Sequence, residues 1–185
     1  EGDYLEFRLR RYLTFAEFKS ELAPHFGLGL EGYATWTSPI RKYSDMVNHR
    51  LIKAVLTQQA CEKPKDEVLA RLQEARRQNR LVERDIADWL YCRYLADKVA
   101  ENVEFDAEVQ DVMRGGLRVQ LLENGASMFV PASTLHPNKD EMQVNADELA
   151  LYIQGERRYK IGDLVKVKLT EVREETRSIV GQLII

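Results

Sequence analysis

Two cysteines in 185 residues, Cys61 and Cys92, are too few and too far apart for a disulfide framework, and neither belongs to a Cys-x-x-Cys pair or lies beside a pair of histidines. Reduced thiols are the plain reading, and a zinc site is not indicated. No apolar run approaches the roughly 20 residues of a membrane-spanning helix. The amino end, Glu1-Gly-Asp-Tyr-Leu-Glu-Phe-Arg-Leu-Arg-Arg, lacks the basic-then-apolar order of a signal peptide, so the expected location is cytoplasmic. A strong excess of one charge is also missing. Lys and Arg number 27 against 30 Asp and Glu, a net charge of −3, so any binding of nucleic acid must use local patches and not a globally basic surface. Residues 1–102 hold 17 basic and 16 acidic residues, and residues 103–185 hold 10 and 14, so electrostatics makes no case for the second half. What is present, 44% hydrophobic and 31% charged residues, is ordinary for a globular protein with one or two modest cores. The chain starts without Met inside a sequence already patterned as structured, which reads as a piece of something longer.

The pattern changes along the chain. Residues 4–102 are expected to be mainly helical: Phe15, Phe18 and Leu22 share one helical face, and Tyr43, Val47, Leu51 and Val55 repeat every four residues. The glycine-rich stretch Pro24–Thr35 between them predicts a loop. A third helix is expected from Asp66 to about Val99, burying Val68, Leu72, Ala75, Val82, Ile86 and Trp89, with a break near Gln78-Asn79. Gly27-Leu-Gly29-Leu-Glu-Gly32 has dinucleotide-loop spacing without the preceding strand or the helix opening inside it, so it predicts loop and not a nucleotide site. From Val103 the period becomes two: Phe105, Ala107 and Val109; Leu117, Val119 and Leu121; Leu164–Leu169; Ile179–Ile185. Turn signals at Gly115-Gly116, Asn124-Gly125 and Gly162-Asp163 separate them. With Phe129-Val130 as a short middle strand and Leu135–Lys160 as a long polar connection, the expected fold is a five-stranded OB-type β-barrel, giving an α+β chain.

The most informative segment is Tyr33-Ala-Thr-Trp-Thr-Ser-Pro-Ile-Arg-Lys-Tyr-Ser-Asp-Met-Val-Asn-His-Arg50. Thr37 and Ser38 offer hydroxyls before Pro39, which suits the first turn of a helix beginning at Ile40 and places Arg41 near that helix's positive end. Donors at a helix N-terminus together with a guanidinium fork suit an anion, and repeated phosphates mean nucleic acid. A bare Ser-Pro-x-Arg would be no more than a capped helix with a solvated Arg. The longer string, Thr37 to Asp45 followed by His49-Arg50, resembles the signature of the ribonuclease II family of exoribonucleases. Gly115-Gly116-Leu117, Phe129-Val130-Pro131-Ala132-Ser133 and Gly162-Asp163 with Val165 and Val167 resemble the S1-type RNA-binding domain. In that family an S1-type domain follows the catalytic (RNB) domain at the carboxyl end. The resemblance therefore spans the chain: residues 1–102 as the end of a catalytic domain, 103–185 as an S1-type domain.

It implies a processive, Mg²⁺-dependent enzyme that hydrolyses single-stranded RNA from the 3′ end. Arg41 would contact the phosphate to be cleaved, with Ser38 beside it. Lys42 and Arg50 are either RNA contacts or no more than cations that are solvated or paired with Asp45; Tyr43 and His49 read as packing or orienting residues. Arg76, Arg80 and Glu83 fall on one side of the long helix, which alone reads as an ion-paired surface. By resemblance Glu83 would approach the 3′-terminal nucleotide, where a carboxylate suits ribose hydroxyls, with Arg80 one turn away as a further RNA contact. The barrel departs from the usual S1 pattern at Arg114, Leu117 and Pro131. That leaves Arg114 and Arg118 as backbone contacts, with Phe129 as either a stacking platform or a core residue. The family's Mg²⁺ is held by several Asp residues far upstream of the signature, and no such cluster precedes Arg41. No metal ligand is therefore assigned, and this chain alone is expected to be inactive. No membrane segment and no obligate protein partner is indicated. The alternatives are a non-catalytic RNA-binding or regulatory module and, from another class, a protein-interaction domain.

Overall fold

The computed structural model describes residue 9 and residues 12–184. The run read against a signal peptide and Ile185 at the end of the last expected strand therefore lie, wholly or nearly so, outside the described residues. The chain divides into two compact units, one of Thr14–Val82 and one built on Glu83–Ile185.

In the first unit the expected helix through Phe15, Phe18 and Leu22 does not form, and Phe15 and Leu22 are largely exposed. The competing partners explain it. The Ala16 carbonyl accepts from Gln73 Nε2 at 3.3 Å, and the Phe15 and Phe18 rings lie under the guanidinium groups of Arg80 and Arg76, 5.6 and 5.5 Å from the ring centroids. Side chains of another helix thus engage this segment where a helix would bond its own backbone. The glycine-rich loop is as expected, apart from one 3₁₀ turn at Phe26–Leu28 and a bridge between His25 and Leu30.

Helix α1 spans Tyr43–Leu56, starting three residues later than Pro39 suggested. Pro39, Ile40 and Arg41 form a turn in which the amides of Arg41 and Lys42 both donate to the Ser38 carbonyl, at 3.3 and 2.9 Å. Of the expected apolar repeat, Val47 and Leu51 are half-buried while Tyr43 and Val55 are exposed; the buried residue of α1 is Asp45.

Helix α2 runs Asp66–Ala100 without a break at Gln78-Asn79, because one Asn costs a helix interior well under ~1 kcal/mol. Its expected stripe is displaced. Val82 and Ile86 are 55% and 52% exposed, whereas Cys92 and Leu95 are fully buried and Tyr91 and Val99 pack with them on the barrel core. The spacing is still three and four; what the sequence left open is which stripe meets the sheet. Cys92, whose thiol burial pushes up, donates to the Arg173 carbonyl at 3.9 Å, and the Tyr91 hydroxyl donates to the Asn124 carbonyl at 2.9 Å.

The second unit holds the five-stranded closed barrel that the alternation predicts. Its strands are β1 (Glu104–Met113), β2 (Gly116–Leu121), β3 (Ser127–Pro131), β7 (Leu164–Arg173) and β8 (Ser178–Leu183), in the order β1-β2-β3-β8-β7. Every pair is antiparallel except β3 with β8. Phe105, Ala107, Val109, Leu117, Val119, Leu121, Met128, Val130 and Val167 fill it. Gly116 has φ +140, and a Cβ there would stand 2.0 Å from the Val130 carbonyl oxygen, so this half of the double glycine is demanded by strand packing.

The connection from Leu135 to Lys160, expected as a long polar stretch, carries a second sheet. After the short helix α3 (Ala132–Leu135), strands β4 (Met142–Asn145), β5 (Ala150–Ile153) and β6 (Glu156–Lys160) form an antiparallel meander. It buries Leu149, Leu151, Ile153 and Ile161 in the same core cluster. The β5–β6 hairpin turns at Gln154-Gly155, both at positive φ (54 and 80), as a tight two-residue turn requires.

Candidate nucleic-acid interface

The signature segment becomes a turn held against the first two turns of α1. Asp45 sits one helical turn in from the N-cap residue Lys42, and its side chain is completely buried. Its Oδ2 accepts the Ser38 amide at 2.9 Å, and its Oδ1 accepts the Ser44 hydroxyl at 3.2 Å. One turn further, Asn48 Nδ2 donates to the Thr35 carbonyl at 2.8 Å. His49 Nε2 lies 2.8 Å from the Trp36 carbonyl, which can only accept, so that nitrogen carries the proton. The His49 ring also stacks on Trp36 at 3.7 Å between centroids and 11° between planes. Residues i, i+3 and i+4 of one helix face thus fix the backbone at residues 35, 36 and 38. The Asp45 carboxyl is held below its usual range, chiefly by a hydrogen bond from the Thr35 side chain; burial opposes this, and the Ser38 amide, the Ser44 hydroxyl and the charge of Lys42 reinforce it.

Arg41 emerges from this turn exposed, with no ion pair among the described residues, and Lys42 beside it is exposed in the same way. Among the described residues neither Lys42 nor Arg50 forms an ion pair with Asp45, which removes one of the alternatives open for them: the carboxylate is already engaged by backbone and hydroxyl donors. Ser38 is half-buried, its amide and carbonyl both committed to the turn. Arg50 borders a shallow groove with Trp36, Met46, His49, Ile52 and Lys53. Arg80 lies over the Phe15 ring. The expected ion-paired face of the long helix is sparse here: Arg77 pairs with Glu74 at 2.9 Å, while Arg76 and Arg80 meet aromatic rings.

In the second unit Glu83 is exposed on α2 with no ion pair among the described residues. Arg114, exposed, occupies the β1–β2 turn. Arg118 on β2 stands directly opposite Phe129 on β3, so both project from the outer face of the barrel. Along β3 the neighbours Met128 and Val130 point inward and are buried, whereas Phe129 is half-buried. Strand alternation therefore puts Phe129 outside the core, 3.7 Å from where a Cβ on Gly115 would sit. An aromatic side chain with an arginine on the facing strand can stack on a base and hold a neighbouring phosphate.

Asp45 and Asn48 were the residues that sequence reasoning missed. The available signal was their spacing with His49 on the helix that follows a Ser-Pro turn. Among the described residues no three or more His, Cys, Asp or Glu side chains come together as a metal site, so the acidic residues present do not fit a Mg²⁺ centre.

Two family models match the chain: the RNB domain over residues 1–58 and the S1 RNA binding domain over residues 98–183. The chain is 86% identical over 184 residues to Exoribonuclease 2 of Haemophilus influenzae strain 86-028NP and 76% identical over 182 residues to that of Pasteurella multocida. These alignments take in 100% and 98% of this chain but 28% of each relative, so it spans little more than a quarter of their length. Among solved structures it superposes on the apo form of Mycoplasma genitalium RNase R with a TM-score of 0.77 at 21% identity, covering 100% of this chain and 30% of that one. The same protein in complex with ribose-methylated single-stranded RNA gives 0.76 at 23%, covering 95% and 28%. At such identities the structures share the fold.

Proposed function

We propose, from the premise that this chain belongs to the ribonuclease II family, that it is the carboxyl-terminal segment of a processive 3′-to-5′ exoribonuclease acting on single-stranded RNA. The observation that carries this is the 86% identity to Exoribonuclease 2 running through both the Ser38–Arg41 turn and the barrel. We place the boundary between the catalytic and S1-type parts at residues 102 and 103, where α2 has ended, Asn102 takes a left-handed φ of 51, and β1 is about to begin.

In this reading Arg41 contacts the phosphate being cleaved. An exposed guanidinium with no ion pair among the described residues, mounted on a fixed turn, supplies two parallel donors to phosphoryl oxygens as their charge grows. Ser38 shapes that turn, while Lys42 and Arg50 add positive charge along the strand. Glu83 receives hydrogen bonds from the terminal ribose, with Arg80 nearby in sequence as a phosphate contact. Arg114, Arg118 and Phe129 hold upstream nucleotides by charge and stacking. In this reading the reaction uses Mg²⁺, and no residue of this chain is assigned to hold it; among the described residues no three or more His, Cys, Asp or Glu side chains come together. The location is cytoplasmic; among the described residues no helix is long and apolar enough to cross a membrane.

The test separates the parts. The chain alone, given a 5′-labelled single-stranded RNA and Mg²⁺, binds weakly and leaves the RNA intact. A chimera in which it replaces the matching segment of Haemophilus influenzae Exoribonuclease 2 shortens the RNA from its 3′ end. Metal-dependent shortening by the chain alone, or an inert chimera that folds, overturns the reading.

A further inference from the structure

We infer that Asp45 is a positioning residue for Arg41, the buried member of a three-residue clamp that fixes the turn from which the guanidinium projects. The inference rests on the reading of Arg41 given above and extends it to residues that touch no substrate. Four observations carry it. The Asp45 side chain is completely buried, the only charged one so placed among the described residues. Its hydrogen-bond partners are not a cation but the Ser38 amide at 2.9 Å and the Ser44 hydroxyl at 3.2 Å, with the Thr35 hydroxyl 3.5 Å from that of Ser44. The Ser38 carbonyl, at the other end of the same residue, accepts the amides of Arg41 and Lys42 at 3.3 and 2.9 Å. Asn48 and His49 then hold the Thr35 and Trp36 carbonyls, each at 2.8 Å.

The chain of constraint is short. Asp45 fixes Ser38, Ser38 fixes the amides of Arg41 and Lys42, and the Arg41 backbone sets where its side chain begins. Pro39 alone cannot do this, because it restricts its own φ and the conformation of Ser38 but leaves its own ψ and the residues that follow free. A buried carboxylate without its donors would be unfavourable, so the closed turn is the arrangement in which Asp45 is satisfied. The Ser38 amide, which precedes α1, in turn finds its acceptor in a side chain of that helix. Positioning of this kind matters most for a group whose contact strengthens in the transition state, where a displacement of about 1 Å can cost ~100-fold in rate.

The experiment uses the full-length chimera with Haemophilus influenzae Exoribonuclease 2, read in single turnover at saturating enzyme, with RNA affinity measured separately. Arg41→Ala lowers the saturated cleavage rate about 100-fold. Asp45→Ala lowers the same rate at least tenfold with RNA affinity held within threefold, and in the Arg41→Ala background it produces no further loss. Asp45→Asn, which keeps an acceptor for the Ser38 amide but loses the charge, recovers part of the rate. A residue serving stability alone would slow both backgrounds equally, and that multiplicative outcome overturns the inference. So does an unchanged rate in Asp45→Ala. If Asp45→Ala does not fold, Asp45→Asn decides: a partial loss that vanishes without Arg41 supports the clamp, and no loss refutes it. An undiminished rate in Arg41→Ala sinks instead the functional reading on which this one stands.

Discussion

Replacing Arg114 and Arg118 together with Ala tests the barrel's proposed part in RNA binding through a quantity that stability changes do not imitate. Arg114 lies in the β1–β2 turn and Arg118 on the outer face of β2 opposite Phe129; both are exposed. If each neutralises one phosphate of a single strand, removing both lowers the magnitude of the slope of log K against log salt by about 1.4, at ~0.7 per phosphate. Between 50 and 200 mM salt, log salt changes by ~0.6, so the double variant's affinity falls about sevenfold less than the parent's over that interval. The affinity curves therefore converge as salt rises. Fluorescence anisotropy with a labelled oligoribonucleotide at four salt concentrations gives both slopes, and a thermal melt confirms the barrel is intact. In the full-length chimera the same pair weakens RNA retention and leaves single-turnover cleavage of bound RNA nearly unchanged. Parallel salt lines for the two proteins would refute the phosphate assignment, and a collapse of the saturated cleavage rate would make the barrel part of the chemistry.

Other outcomes follow from the packing. Gly116→Ala meets a backbone oxygen at 2.0 Å in a region of φ closed to alanine, and it should destabilise the second unit by about 3 kcal/mol or more in a denaturant titration; a cost below ~1 kcal/mol would show that β2 and β3 can part there. Leu151→Ala, from a fully buried site in the second sheet, should cost ~2–5 kcal/mol, whereas a peripheral hairpin would lose little. Because hydrogen bonds hold the Asp45 carboxyl below the ordinary aspartate range, its contribution is present above that range and is lost only as pH falls through the lower folded value. The Ser38 amide should thus stay protected in NMR exchange from neutral pH down to about 4, and opening already at pH 5 would contradict the bonding described. A thiol reagent should label exposed Cys61 quickly in the native protein and buried Cys92 only after unfolding, as counted by mass spectrometry.

Alternation and turn residues were sufficient for the barrel. Phe105, Ala107 and Val109, or Leu117, Val119 and Leu121, have one way to bury a face, and a one-residue slip would expose the whole set. The Ser-Pro-x-Arg string marked Arg41 because its residue types are too polar for a core, and that local chemistry needs no partner to be recognised. Other features depended on contacts between distant residues. Phe15 and Phe18 have helical spacing, yet the Arg80 and Arg76 guanidinium groups and the Gln73 amide engage their segment. The long helix has the spacing its sequence announces, but its barrel-facing stripe passes through Cys92 and Leu95 because that is where a sheet lies against it. The second sheet stayed hidden because strands of four or five residues bury few side chains each, and Leu149, Leu151 and Ile153 show their worth only once they reach the barrel core. Asp45 reads in sequence as one more helical acid. Only the returning backbone at Thr35–Ser38, which supplies the donors a buried carboxylate requires, makes it the residue that fixes the turn.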